Sequence, residues 1–251
     1  MCAAGSGSAS MRRTVFAVAA LAVAWWVASA LVGSRVLPSP VTVAVRFAQV
    51  WSPALWRHTL ASTARVVAAL ILAAAVAVPL GIGAGRVAAI DRVVTPPAYL
   101  LYPVPKIALL PVLLILLGTG DVTRVAVVFL VLFFQMYIAV RDGARSVDPH
   151  YLQSIDSLGG TRLDRLRYVV WPVVLPGLLT ALRIGSGTAL AVLFFAETFF
   201  TRYGLGFYIV DSWMKLAYPD MFAGIVAMSL LGLGLFSVID AVDRRVSRWR
   251  S

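Results

Sequence analysis

Six stretches of this sequence are long, apolar and nearly free of charge, and they limit what the chain can fold into. Residues 14–33, 66–85, 125–140 and 221–239 contain no charged side chain. Residues 97–118 carry only Lys106, and residues 174–200 carry only Arg183 and Glu197. A bilayer core takes roughly 20 residues of apolar helix. Backbone without internal hydrogen bonds is too costly in lipid, so helices are the natural way for such runs to cross. The expectation is an all-α membrane protein of about six spans: 14–33, 59–85, 97–118, 123–140, 174–200 and 221–240, forming one domain. Composition agrees, with 61% hydrophobic and 13% charged residues, against about 25% charged in soluble domains. Soluble enzymes, disordered chains and secreted disulfide scaffolds are excluded, and the single Cys2 has no internal partner.

Six spans place both termini on one side. Residues 1–13 are then an N-terminal tail, with MCAAGSGSAS expected to lack fixed structure, and 241–251 a basic C-terminal tail. The first run exceeds the roughly 7–15 residues of a signal-peptide core, so it reads as a retained helix. The side holding the termini collects 13 basic residues and the opposite side six. By the positive-inside rule the termini are cytoplasmic. Residues 34–58 form an outer segment in which Val41, Val45 and Ala48 at helical spacing predict a short interfacial helix. The glycine run at 81–85 sits in an apolar span and reads as close helix packing rather than a nucleotide loop.

Residues 141–173, between spans four and five, exceed what a turn needs and predict two short helices. Asp148 caps the first, with Pro149 at its first helical position. Leu152, Ile155 and Leu158 give it an apolar stripe. Gly159 suits the left-handed residue that ends it. Thr161 and Asp164 form a capping box for the second helix, which Leu163, Leu166 and Val170 line. Pro172 stops or kinks that helix. Such a pair must bury its stripe on its own membrane domain or on a partner.

Within residues 151–185 this loop resembles the EAA loop of ABC-importer permeases: Glu-Ala-Ala, three residues, Gly, nine residues, Ile, one residue, Leu-Pro. Gln153, Ser154 and Ile155 occupy the Glu-Ala-Ala positions, Gly159 the glycine, Val169 the isoleucine, and Trp171 and Pro172 the Leu-Pro. Glycine, proline and spacing match, while the opening Glu-Ala-Ala and the leucine are replaced. Residues 58–85, 102–121 and 196–213 are also similar to the nitrate/sulfonate/taurine (NitT/TauT) branch of these permeases. The resemblance implies a type I importer permease fold and a two-copy permease, most simply a homodimer. It implies a cytoplasmic pair of ATP-binding subunits docked on loop 141–173, so that ATP is a partner's ligand and this chain needs no cofactor. It also implies a periplasmic or lipid-anchored binding protein and a bacterial or archaeal inner membrane.

Charges inside spans mark function by default. Lys106 and Arg183 are candidates for lining the substrate path, with an ammonium snorkelling to the interface and a structural pairing as the respective alternatives. Glu197, the only glutamate, is a gate or docking candidate, or else the partner of Arg202 or another arginine on the outer surface. Two positive mid-span charges fit a small organic or inorganic anion, and the resemblance implies nitrate, a sulfonate, taurine or a similar solute. His58 and His150 have no partners at metal spacing and read as loop residues, so no metal site is expected. Arg162, Arg165 and Arg167 are assigned to headgroups or solvent, with carboxylates of an ATP-binding subunit as the alternative. No constellation for catalysis is present. A self-sufficient secondary transporter or channel is the alternative, short of acidic residues for a coupling-ion site. A helix-turn-helix pinned between two spans could not enter a DNA groove, so no nucleic acid partner is expected.

Overall fold

The computed structural model describes residues 6–33 and 36–246, and no strand occurs among them. Eleven α-helices follow in order: α1 (Ser6–Val32), α2 (Pro40–Val50), α3 (Trp56–Arg86), α4 (Ala88–Leu101), α5 (Leu110–Leu117), α6 (Asp121–Arg145), α7 (Pro149–Ser157), α8 (Arg162–Arg165), α9 (Trp171–Glu197), α10 (Leu205–Met214) and α11 (Tyr218–Val246). Among the described residues four continuous stretches are long and apolar enough to cross a bilayer: Pro40–Arg86, Asp121–Arg145, Arg162–Glu197 and Tyr218–Val246. The pair Ala88–Leu101 and Lys106–Leu117, bent by 92°, is apolar and long enough to cross only when taken together as one broken span. It is the third crossing in chain order when α1 is counted as the first.

Several boundaries differ from the sequence expectation. The first run lies in α1, which holds residues 14–32 of it in one helix. Residues 6–13, part of the expected tail whose first ten residues should lack fixed structure, form the first turns of α1. Residues 1–5 and 247–251 of the expected tails lie outside the described residues. The outer segment is no separate loop. Its helix α2 runs through a π-helical turn, Trp51–Leu55, into α3. The face α2 buries is Val43 and Val50, with Phe47 half-buried; Val41 and Val45 are exposed. Arg46 fixes this face to α11 through two bonds to Asp220, at 2.9 and 3.2 Å.

A second π-turn, Leu166–Val170, joins the loop to α9. Both π-turns lie at a proline, Pro53 inside one and Pro172 just after the other. A proline ring crowds the carbonyl four residues back and donates no hydrogen bond, and a widened turn relieves both defects. Pro172 therefore shapes a continuous helix and does not stop it.

The core is the packing of α3, α6 and α9. Val66, Ala69, Ala73 and Ala77 form a fully buried stripe on α3. Small residues at helical spacing let backbones approach where apolar burial gives little drive in lipid. The approach is closest at the glycine run: a Cβ on Gly81 would lie 2.7 Å from Val140 Cγ1, and one on Gly85 2.6 Å from the Arg141 carbonyl oxygen.

Candidate functional site

The loop between α6 and α9 folds as its local signals dictate. The Asp148 carboxylate accepts the His150 N–H at 2.8 Å, with Pro149 opening α7. At the other end Gly159 adopts φ +74°. The Gly159 and Gly160 N–H groups donate to the carbonyls of Asp156 and Ile155, at 3.0 and 2.9 Å. These two bonds are the Schellman closure of a helix. Gly160 escaped the sequence reading, although a Cβ there would sit 2.3 Å from Ile155 Cγ2 and could not be accommodated. The adjacent pair of glycines was the available signal. Thr161 and Asp164 form the capping box of α8. Arg165, assigned above to headgroups or solvent, pairs with Asp156 across the two helices at 2.5 Å.

The apolar side chains of this pair divide. Leu152 and Ile155 pack half-buried against the membrane core. Tyr151, Leu158, Leu163 and Tyr168 are 65%, 84%, 67% and 61% exposed. A strict three-residue spacing drifts about 60° per step around a 3.6-residue helix, so Leu158 leaves the face that Leu152 and Ile155 share. Gln153, Ser154 and Gly159 are exposed beside it and Pro172 is half-buried.

Lys106 lies at the break of the third crossing. Its ammonium donates to the carbonyls of Leu101, Tyr102 and Val104 at 2.6, 2.7 and 2.8 Å, and sits 4.7 Å from the centre of the Phe134 ring. These carbonyls belong to the C-terminal end of α4 and the turn after it, where helical partners are missing. An ammonium has three N–H donors, and here all three cap the broken helix. Lys106 also borders a cleft of about 380 Å³ with Tyr102, Phe134, Gln135, Thr188 and Val192 among its other walls.

The other two candidate charges lie elsewhere. Arg183, at the middle of α9, pairs with Asp240 of α11, and both side chains are partly exposed. Glu197 is wholly buried at the end of α9. Its carboxylate accepts from Arg65 Nη1 at 2.6 Å, from the Ser62 hydroxyl at 2.8 Å and from the Gly206 N–H at 3.0 Å. Arg65 also holds Asp121, at 2.7 Å. The expected alternative partner Arg202 is not the one used, since Arg65 on α3 reaches the carboxylate from inside the bundle. Beside this cluster Arg124 donates to four carbonyls, those of Thr119, Gly120, Phe199 and Phe200, at 2.7–2.9 Å. His58 is helical and buried, with Nδ1 3.0 Å from the Gly204 carbonyl. The three candidate charges are thus not brought together.

Residues 77–248 match the family model described as binding-protein-dependent transport system inner membrane component. The chain is 30% identical over 240 residues to the taurine transport system permease protein of Escherichia coli (strain K12), covering 92% of this chain and 87% of that protein. It is 28% identical over 222 residues to a putative aliphatic sulfonates transport permease protein of Bacillus subtilis (strain 168), covering 88% and 80%. Its fold is similar to a chain of the MetNI methionine ABC transporter in an inward-facing conformation, with a TM-score of 0.61 over 76% of this chain and 95% of that one. Identity there is 19%, so that likeness concerns the fold alone. Long apolar helices, a capped helix pair between two of them and a family match over most of the chain agree: this chain belongs to the inner-membrane permease components of binding-protein-dependent transport systems.

Proposed function

We propose that the chain is the membrane subunit of an ATP-driven importer and that its α7–α8 pair receives an ATP-binding subunit in the cytoplasm. The observation that carries this is the set of exposed apolar side chains, Tyr151, Leu158, Leu163 and Tyr168, on a helix pair and the π-turn that follows it, whose backbone is otherwise tied down by caps. An exposed apolar group on a fixed, polar loop is a surface prepared for a partner. The basic-residue bias of 13 to six supports cytoplasmic termini and a cytoplasmic loop. ATP binds to and is hydrolysed on the partner. A second copy of the chain completes the path, and a separate binding protein delivers the solute. Relatives named for taurine and aliphatic sulfonates support a small sulfonate-like anion as cargo.

The coupling is mechanical. Leu152 and Ile155 seat α7 on the core, while α8 continues through the π-turn into α9. A push on the helix pair by closing ATP-binding subunits therefore reaches α9, whose Thr188 and Val192 border the cleft at the broken span. The test is a tagged purification from native membranes in mild detergent, read by mass spectrometry. Recovery of one ATP-binding subunit per permease is expected. Its absence across several detergents would instead favour a self-sufficient transporter.

A further inference from the structure

We propose that the cleft at the break of the third crossing is the chain's own contact site for a small oxyanion, with the Gln135 amide and the Thr188 hydroxyl donating hydrogen bonds and Lys106 supplying charge from the wall. The inference rests on the permease reading above and names where inside the permease the cargo is touched.

Three observations carry it. First, Gln135 and Thr188 are polar groups in spans with no partner among the described residues. The Gln135 Oε1 is buried without a hydrogen bond. As an acceptor it cannot meet an anion, so the donor offered to the cleft is the amide Nε2, which likewise has no hydrogen bond among the described residues. A Cβ on Gly185 would lie 2.6 Å from Oε1, so this glycine leaves the space that the amide occupies between α6 and α9. Thr188 differs from its neighbours on α9: Thr180 and Ser186 bond the carbonyls of Pro176 and Arg183, at 2.9 and 2.8 Å. Hydroxyls in membrane helices ordinarily satisfy themselves in that way. A polar group left unpaired within a span is costly unless water or a ligand meets it.

Second, both groups border the same cleft, whose remaining walls are largely aromatic and aliphatic. A volume of about 380 Å³ lies within the range of small-molecule sites, which are mostly apolar with a few placed polar groups.

Third, Lys106 fixes the sign of the charge without forming a trap. Its three donors are used by the carbonyls of Leu101, Tyr102 and Val104. It attracts an anion through its field and offers no N–H to hold one. A transport site must bind well enough to admit a solute and weakly enough to release it. Neutral donors in front of a committed cation meet both demands.

The test uses the full complex with its ATP-binding subunit, in a Cys2→Ser background that removes the only native thiol. A cysteine replaces Thr188, or Ala189 as a control turned wholly into the core. Each variant is treated with two methanethiosulfonate reagents, one bearing a sulfonate and one a quaternary ammonium, with rates normalised to a free small thiol. Thr188→Cys is expected to react, and the anionic reagent to lead the cationic one by on the order of tenfold. Lys106→Gln should bring that ratio towards one. Gln135→Leu should slow the anionic reagent only, which keeps the test sound if Lys106→Gln fails to fold. Inertness equal to Ala189→Cys, or equal rates for the two reagents, would overturn the proposal. Because the ATP-binding subunit is scored in the same preparation, its loss would strike the permease reading, and unreactive thiols in an intact complex would strike this inference alone.

Discussion

The Glu197 cluster and the α7–α8 pair lie at opposite ends of α9 and use their side chains in opposite ways. At the Glu197 end, Arg65, Arg124 and Glu197 are buried and every one of them is met from within the chain, by carboxylates, a hydroxyl, backbone N–H groups or carbonyls. At the other end the backbone is equally well capped, but Tyr151, Leu158, Leu163 and Tyr168 are left uncovered by the chain. One end is closed on itself, with the Arg124 Nε the one buried polar atom of the cluster left without a hydrogen bond among the described residues. The other is ordered but uncovered, which is the condition of a surface that works in an assembly. The contrast separates residues that hold the molecule together from residues that make it useful.

The largest effect should come from the closed end. Arg65→Leu leaves Glu197 buried without its cation, and breaking such a pair costs about 3–5 kcal/mol. Thermal unfolding in detergent should show a large drop in midpoint, and a midpoint like that of the parent would mean the cluster is not a structural tie. Leu158→Asp should do the reverse. The residue is 84% exposed, so stability should stay within about 0.5 kcal/mol, while recovery of the ATP-binding subunit falls by on the order of tenfold. Loss of fold in this variant would erase the contrast between the two ends.

Gly159→Val addresses transmission. A β-branched residue at φ +74° is strained by roughly 1–2 kcal/mol, and nothing lies within 4 Å of the added Cβ. The helix pair should dock yet be misoriented, so ATP hydrolysis continues while solute uptake falls. Uptake at the parental rate would remove Gly159 from the coupling route. The smallest effect belongs to Thr161→Ala, which deletes half of the capping box. A lost cap costs about 1 kcal/mol, visible as faster amide exchange over residues 162–165 with uptake nearly intact.

What the sequence disclosed follows from the range of each interaction. The caps at Asp148 and Thr161 and the left-handed Gly159 involve residues two to five apart, and their residue types state their geometry. The apolar runs likewise announce spans, since hydropathy needs no partner. Partnerships across the fold were hidden. Arg65 and Glu197 are 132 positions apart and Arg183 and Asp240 are 57 apart, and no local pattern joins them. Lys106 was visible as a charge beside prolines. Its use as a cap became evident only when the chain bent by 92° and turned three carbonyls towards it. Thr188 and Gln135 drew no notice in the sequence because an unpaired group is recognised only once its surroundings are known.

Leu158 and Ile115 offer a direct comparison, since both are apolar and 84% exposed, one on the helix pair and the other on α5. With Cys2 replaced by serine, a cysteine at each position would be treated with a short bifunctional thiol–amine cross-linker in native membranes. Leu158→Cys is expected to cross-link to an ATP-binding subunit and Ile115→Cys is not. Cross-linking from Ile115→Cys alone, or from neither position with the ATP-binding subunit present in the same membranes, would contradict the assignment of the helix pair as the surface that receives it.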